Sequence, residues 1–191
     1  MPTDPESLTI VHHPEPVLRK RAKAVGEVTD DVRAIARRML DLMDQARGIG
    51  LAAPQVGLGW RLFVCHVPAA EDRVLESDPL QATGAPMVCI NPVLSEASRD
   101  LVPYEEGCLS LPEITGDVRR PSEITMTATG LDGKAFTRRA AGLLARCWQH
   151  EVDHLDGVLI IDKMSPIHRM RNRRAIKALE SGAAGTRAGA R

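Results

Sequence analysis

The chain of 191 residues carries no net charge: Lys plus Arg and Asp plus Glu each number 25. That balance gives no global argument for a nucleic-acid or membrane-surface partner, although local clusters can still matter. No apolar run approaches the roughly 18 residues a membrane span needs. Cysteines are few and scattered, at Cys65, Cys89, Cys108 and Cys147, and the opening Met1-Pro2-Thr3-Asp4 shows no basic-then-apolar leader. Both features argue against a disulfide framework and for a reducing cytoplasm. Internal repeats and interdomain linkers are also missing, and the length suits one domain of ordinary size. The expectation is one domain over residues 1–180, followed by a disordered tail over 181–191 whose small residues have nothing to pack.

What is present falls into alternating helical and extended patterns. Thr29 with Asp30 and Asp31 reads as a helix start, and Val32, Ile35, Ala36, Met39, Leu40 and Met43 recur at helical spacing as far as Gln45. Residues 61–67 and 87–90 read as buried strands. Residues 123–129 alternate between two faces and turn through Asp132-Gly133 into residues 134–137, a hairpin signal. A second helix is expected from Ala140 to about Leu155, with Ala141, Leu144, Trp148, Val152 and Leu155 on one arc. Ser165-Pro166 opens a last, basic helix through about Leu179. Antiparallel strands with segregated helices indicate the α+β class.

The most informative segment is Gln149-His150-Glu151-Val152-Asp153-His154, an H-E-x-x-H pattern inside the second helix. At helical pitch His150 and His154 lie about 40° apart around the axis and about 6 Å apart along it, so both imidazoles can face one ion. Glu151 is rotated to the side, where a carboxylate could accept a proton from a water on that ion. A helix surface that merely spells the pattern is the bland alternative. A catalytic site of this kind needs a third protein ligand and an open position. Cys147 faces the same side but is about 10.5 Å of helical rise from His154, too far when ligand atoms around one ion sit within about 4 Å of each other. Cys108 lies in Glu105-Glu106-Gly107-Cys108-Leu109-Ser110, a glycine-bearing stretch between strand signals, and is the better donor. Cys65 and Cys89 sit in apolar runs and read as small core residues. His12, His13, His66 and His168 have no partner at ligand spacing.

Another glycine-marked segment, Gly48-Ile49-Gly50-Leu51-Ala52-Ala53-Pro54-Gln55, has two readings. It can be a tight helix-to-strand connection. Alternatively its glycines expose backbone to an extended peptide while the Gln55 amide donates to an oxyanion.

With these three segments in order, the chain resembles bacterial peptide deformylases, whose boxes G-φ-G-φ-A-A-x-Q, E-G-C-φ-S and H-E-φ-D-H (φ apolar) stand intact over residues 48–55, 106–110 and 150–154. The resemblance runs from about Thr9 to Met164. It implies antiparallel sheets packed around a central HExxH helix, with a C-terminal helix. It also implies removal of the N-formyl group from nascent formyl-methionyl peptides by an ion-activated hydroxide. Carried over by position, Cys108, His150 and His154 hold a divalent metal, and Glu151 is the general acid/base. Gln55 and the Leu109 N–H stabilise the oxyanion, and Ile49, Gly50 and Gly107 hold the peptide backbone. The resemblance implies Fe²⁺ in the cell. One thiolate and two neutral imidazoles also suit Zn²⁺, Ni²⁺ or Co²⁺, and intrinsic affinity favours Zn²⁺ over Fe²⁺, so the metal stays open.

Leu143 and Cys147 project on the arc of His150 and His154 and are expected to line the methionine pocket, with Arg146 at its rim. Arg146 departs from the apolar residue common there; the alternative is a solvated helix face. Arg169, Arg171, Arg173, Arg174 and Lys177 concentrate positive charge near the C-terminus. They read either as a solvated face or, by the resemblance, as a ribosome contact through phosphate-rich RNA. Two other functions compete: an HExxH peptidase, which usually takes its third ligand downstream, and a binding module with a structural metal.

Overall fold

The computed structural model describes residues 4–188, with side chains as far as Gly182. Helix α1 covers Asp30–Gln45, and the Thr29 hydroxyl accepts from the Val32 N–H to cap it, as the Thr-Asp-Asp start predicts. Strands β1 (Gly50–Ala52), β2 (Leu62–Cys65), β3 (Met87–Ser95), β6 (Glu123–Thr129) and β7 (Ala135–Ala141) form a five-stranded sheet in the order β1-β2-β3-β6-β7. Every pairing in it is antiparallel. Strands β4 (Leu101–Cys108) and β5 (Leu111–Pro121) form a separate antiparallel pair. Helices α2 (Gly142–Leu155), α3 (Ile160–Lys163), α4 (Pro166–Arg171) and α5 (Arg173–Ala188) complete the chain. Antiparallel sheets with separate helices make the fold α+β, as expected. Among the described residues no helix is long and apolar enough to cross a membrane.

The continuous apolar run of β2 follows from burial on both faces. Phe63 and Cys65 pack with Leu144, Cys147 and Trp148 of α2. The alternate residues, Leu62 and Val64, pack with Ile35, Met39 and Met43 of α1. A strand covered on both sides has no solvent face and therefore no polar alternation. A third cluster joins Leu111, Ile114 and Val118 of β5 to Ile160 and Ile161 of α3.

The sequence pattern misses β4 and β5. β4 is largely exposed, with Leu101, Val102 and Tyr104 open to solvent, so it lacks the inward apolar register that marks a half-buried strand. The stretch around Cys108 is consequently the end of a hairpin: Cys108 pairs with Leu111, and Leu109-Ser110 make the turn.

The C-terminal helix also differs from the expectation. It breaks at Asn172, whose side-chain amide donates to the Thr115 and His168 carbonyls at 2.7 and 2.9 Å. The backbone then continues helical to Ala188, beyond Leu179. Residues 181–188, expected as an unpacked tail, continue the helical backbone of α5. Residues 189–191 lie outside the described residues.

Candidate metal centre

Two elements bring the donor atoms together. Helix α2 carries His150 and His154 one turn apart, with their Nε2 atoms 3.2 Å from each other. The β4–β5 turn delivers Cys108, whose Sγ is 3.2 Å from His154 Nε2. One ligand atom from each residue lies within 4.8 Å of the other two. Cys147 does not join them; its thiol points to the Ile49 carbonyl at 3.4 Å, as the helical rise predicts.

The chemistry of these atoms fits a divalent cation. Burial pushes the Cys108 thiol up to about 12, against the pull of the Ser110 and Leu111 N–H groups, so a thiolate there needs a cation beside it. Burial, and then the charges of His150 and Arg120, pull His154 well below the usual histidine range; it is a neutral imidazole, the form that ligates. On His150 the second ring nitrogen, Nδ1, is 3.0 Å from Glu106 Oε2. A carboxylate there fixes Nδ1 as the protonated nitrogen and turns the Nε2 lone pair toward Cys108 and His154.

Glu106 is itself held by a buried charge network. Arg120 grips it through two bonds, Nε to Oε1 at 2.6 Å and Nη2 to Oε2 at 2.9 Å, and reaches Asp153 at 2.7 Å. Arg146 adds a bond to Oε1 at 2.7 Å. Burial opposes ionisation of Glu106, but the hydrogen bonds from Arg120 and His150 outweigh it and hold the carboxyl far below the usual carboxylate range. Sequence reasoning missed Glu106, Arg120 and Asp153 as a support for His150. Glu106 and Asp153 lie inside recognisable boxes, but nothing in the sequence marks Arg120.

A cavity of about 500 Å³ opens beside these residues, and every candidate site residue except His154 lines it. His154 is fully buried behind. Tyr104, which no sequence signal marks, also lines it. Gln55 sits in a short 3₁₀ turn, Ala53–Val56. Its Oε1 accepts from the Ala52 N–H at 2.8 Å, which directs its NH₂ to Cys108 Sγ at 3.6 Å. Gly107 and Leu109 flank Cys108 at the turn. Ile49 and Gly50 form the opposite edge, where the Ile49 carbonyl already accepts from the His66 N–H. Leu143 and Cys147 line the wall from α2, as their arc predicts.

Arg146 overturns the solvated-face alternative. It is 7% exposed, and besides Glu106 it donates to the Val118 and Val102 carbonyls at 3.0 and 2.6 Å. A guanidinium with several acceptors within reach can be buried at little cost, a fact that helix position alone does not reveal.

Glu151 lies between the donors and the β1 edge. Its Oε2 and the Nδ1 of His154 are buried without a hydrogen-bond partner among the described residues. Burial pushes the Glu151 carboxyl well above its ordinary value, the direction that brings a carboxylic acid toward neutral-pH proton transfer. A Cβ on Gly50 would overlap Glu151 Oε1 and crowd Cys147 Sγ, so only glycine lets the strand pass this close. Gly50→Ala should displace the carboxylate and lower turnover by about 10²-fold or more, since an ångström of misplacement costs that much. Metal content should be unchanged, and steady-state kinetics with metal analysis on one preparation checks both.

Residues 7–170 match the family model for polypeptide deformylase. The chain belongs to the polypeptide deformylase family. It is 47% identical over 148 residues to peptide deformylase 2 of Gloeobacter violaceus, covering 78% of this chain and 74% of the relative. It is 43% identical over 172 residues to a peptide deformylase of Acinetobacter baumannii, covering 90% and 91%. A crystal structure of Plasmodium falciparum peptide deformylase superposes with a TM-score of 0.82 at 34% identity, over 93% of this chain and 98% of that one. The deformylase activity is the metal-dependent removal of the N-formyl group from nascent peptides, and the formyl-methionyl peptide is its substrate.

Proposed function

We propose that this chain deformylates nascent peptides at the cavity between α2, β1 and the β4–β5 turn, with Cys108, His150 and His154 holding one divalent ion. The observation that carries this reading is the meeting of one half-buried thiol and two imidazoles beside a carboxylate with one unpartnered oxygen. The antiparallel sheets around the HExxH helix are what keep these groups in register. A divalent ion held there supplies Lewis acidity toward a carbonyl and toward water.

The chain's own residues do the rest. Glu151 takes a proton from the attacking water and returns it to the leaving amine nitrogen. The Gln55 amide and the Leu109 N–H donate to the oxygen that gains charge as the formyl carbon becomes tetrahedral. Ile49, Gly50 and Gly107 meet the backbone of the extended peptide, as an added strand would. Leu143, Cys147 and the aliphatic part of Arg146 receive the methionine side chain. Fe²⁺ is the ion proposed in the cell, with Zn²⁺, Ni²⁺ or Co²⁺ compatible with the same donors, and the cytoplasm is the proposed location.

Formate release from formyl-Met-Ala, set against cleavage of internal bonds in an unformylated peptide, tests the reading. Formate with no internal cleavage is expected; internal cleavage would point to a peptidase, and neither product would leave a binding module.

The basic C-terminal segment is proposed to touch the ribosome. Ala175, Ile176 and Leu179 pack against the β5–α3 cluster, while Arg169, Arg171, Arg173, Arg174 and Lys177 are all exposed. Deleting the helices would therefore strip packing from β5, and neutralising the five cations is the cleaner experiment. Changing all five to Gln should leave hydrolysis of a short formyl peptide intact and weaken low-salt co-sedimentation with ribosomes. Equal co-sedimentation of both forms would make the cluster plain solubilising surface.

A further inference from the structure

Arg146 and His150 are four residues apart on α2, and both reach the same carboxylate. Glu106 accepts four bonds in all: Oε1 from Arg120 and Arg146, and Oε2 from Arg120 and His150. Two lone pairs on each oxygen are thus used, which leaves the carboxylate one orientation. The two arginines divide the work. Arg120 comes from β5 and ties Glu106 to that strand and to Asp153. Arg146 comes from the helix that bears His150, so it registers the carboxylate against the very turn that presents the imidazole. Its remaining donors bind carbonyls of β4 and β5, and its guanidinium lies over the Tyr104 ring, 5.3 Å from the centroid. Both Arg146 and Tyr104 line the cavity.

We propose that Arg146 is a positioning residue: it locks Glu106 onto His150 and thereby ties the wall of the substrate side-chain pocket to the metal centre. A side chain entering the pocket presses on the Tyr104–Arg146 pair, and the pressure reaches His150 through one intervening carboxylate. The proposal rests on the ligand set given above. It differs from a simple lining role because a residue that only shapes the pocket changes substrate binding without changing the metal site.

The test loads the full-length protein with Co²⁺ and compares it with Arg146→Ala and Arg146→Lys. Three quantities are read: the cobalt d–d absorption bands, the rate of Co²⁺ release to a chelator, and kcat and KM for formyl peptides. Arg146→Ala should shift the bands, release Co²⁺ roughly 10-fold faster, the lower end of the range for losing a ligand's own hydrogen-bond partner since Arg120 still holds Glu106, and lower kcat as well as raise KM. Added guanidinium ion should move all three back toward the parent. Arg146→Lys, which keeps the charge and one bond but not the fork, should fall between and serves if the alanine variant folds poorly. Unchanged bands and release rate in both variants, with KM alone altered, would overturn the proposal and leave Arg146 as pocket wall. A parent protein whose cobalt spectrum lacks a sulfur-to-metal charge-transfer band would overturn the ligand set itself, a distinguishable result.

Discussion

Glu151→Gln should keep its divalent ion and lose turnover by roughly 10²- to 10⁴-fold, the range a positioned general acid/base supplies. Glu151 is not among the three residues whose donor atoms converge, so metal content should match the parent. Glutamine has the same shape and cannot take up the proton. Folding should not suffer, because the change replaces a buried carboxyl, one oxygen of which has no partner, by a neutral group of equal size. Thermal unfolding, metal analysis and formate release on one preparation separate the possibilities. A variant that remains metallated and fully active would remove Glu151 from the mechanism.

Loss of one sulfur atom should have opposite outcomes at two positions. Cys108→Ala should abolish metal retention through gel filtration, and activity with it, since two imidazoles alone leave the site one donor short of the three a catalytic site of this type uses. Cys147→Ala should keep the metal. Its thiol faces the Ile49 carbonyl and the pocket, so the change enlarges the cavity wall and acts on KM for the methionine side chain. Metal-to-protein ratios for both variants decide the matter, and the reverse pattern would sink the assignment of Cys108.

Much of the fold was legible from local rules. The Thr29 cap, the β6 strand and the turn at Asp132-Gly133 are properties of short segments, and each appears where its pattern places it, although Thr125 on β6 is buried between Ile124 and Met126 where alternation puts it outside. The limits are equally specific. β4 escaped because an exposed strand has no apolar period, and β7 extends to Ala141 because pairing with β6 continues through Ala140 and Ala141. The pocket position of Arg146 follows from its helix arc, but its burial does not, because helical position predicts direction and not what waits there.

The sequence by itself determined that His150 and His154 face one point and that Cys147 cannot, because spacing along a helix is set by backbone geometry within one turn or two. It also determined the α+β class, through periods of two and of nearly four. Only the tertiary structure decided that Cys108, 46 residues before His154, arrives at that point as the last residue of β4, and that Glu106, Arg120, Asp153 and Arg146 assemble behind His150. Such a network has no local signature: each charge is costly to bury alone and becomes tolerable only when its partners from other elements arrive together.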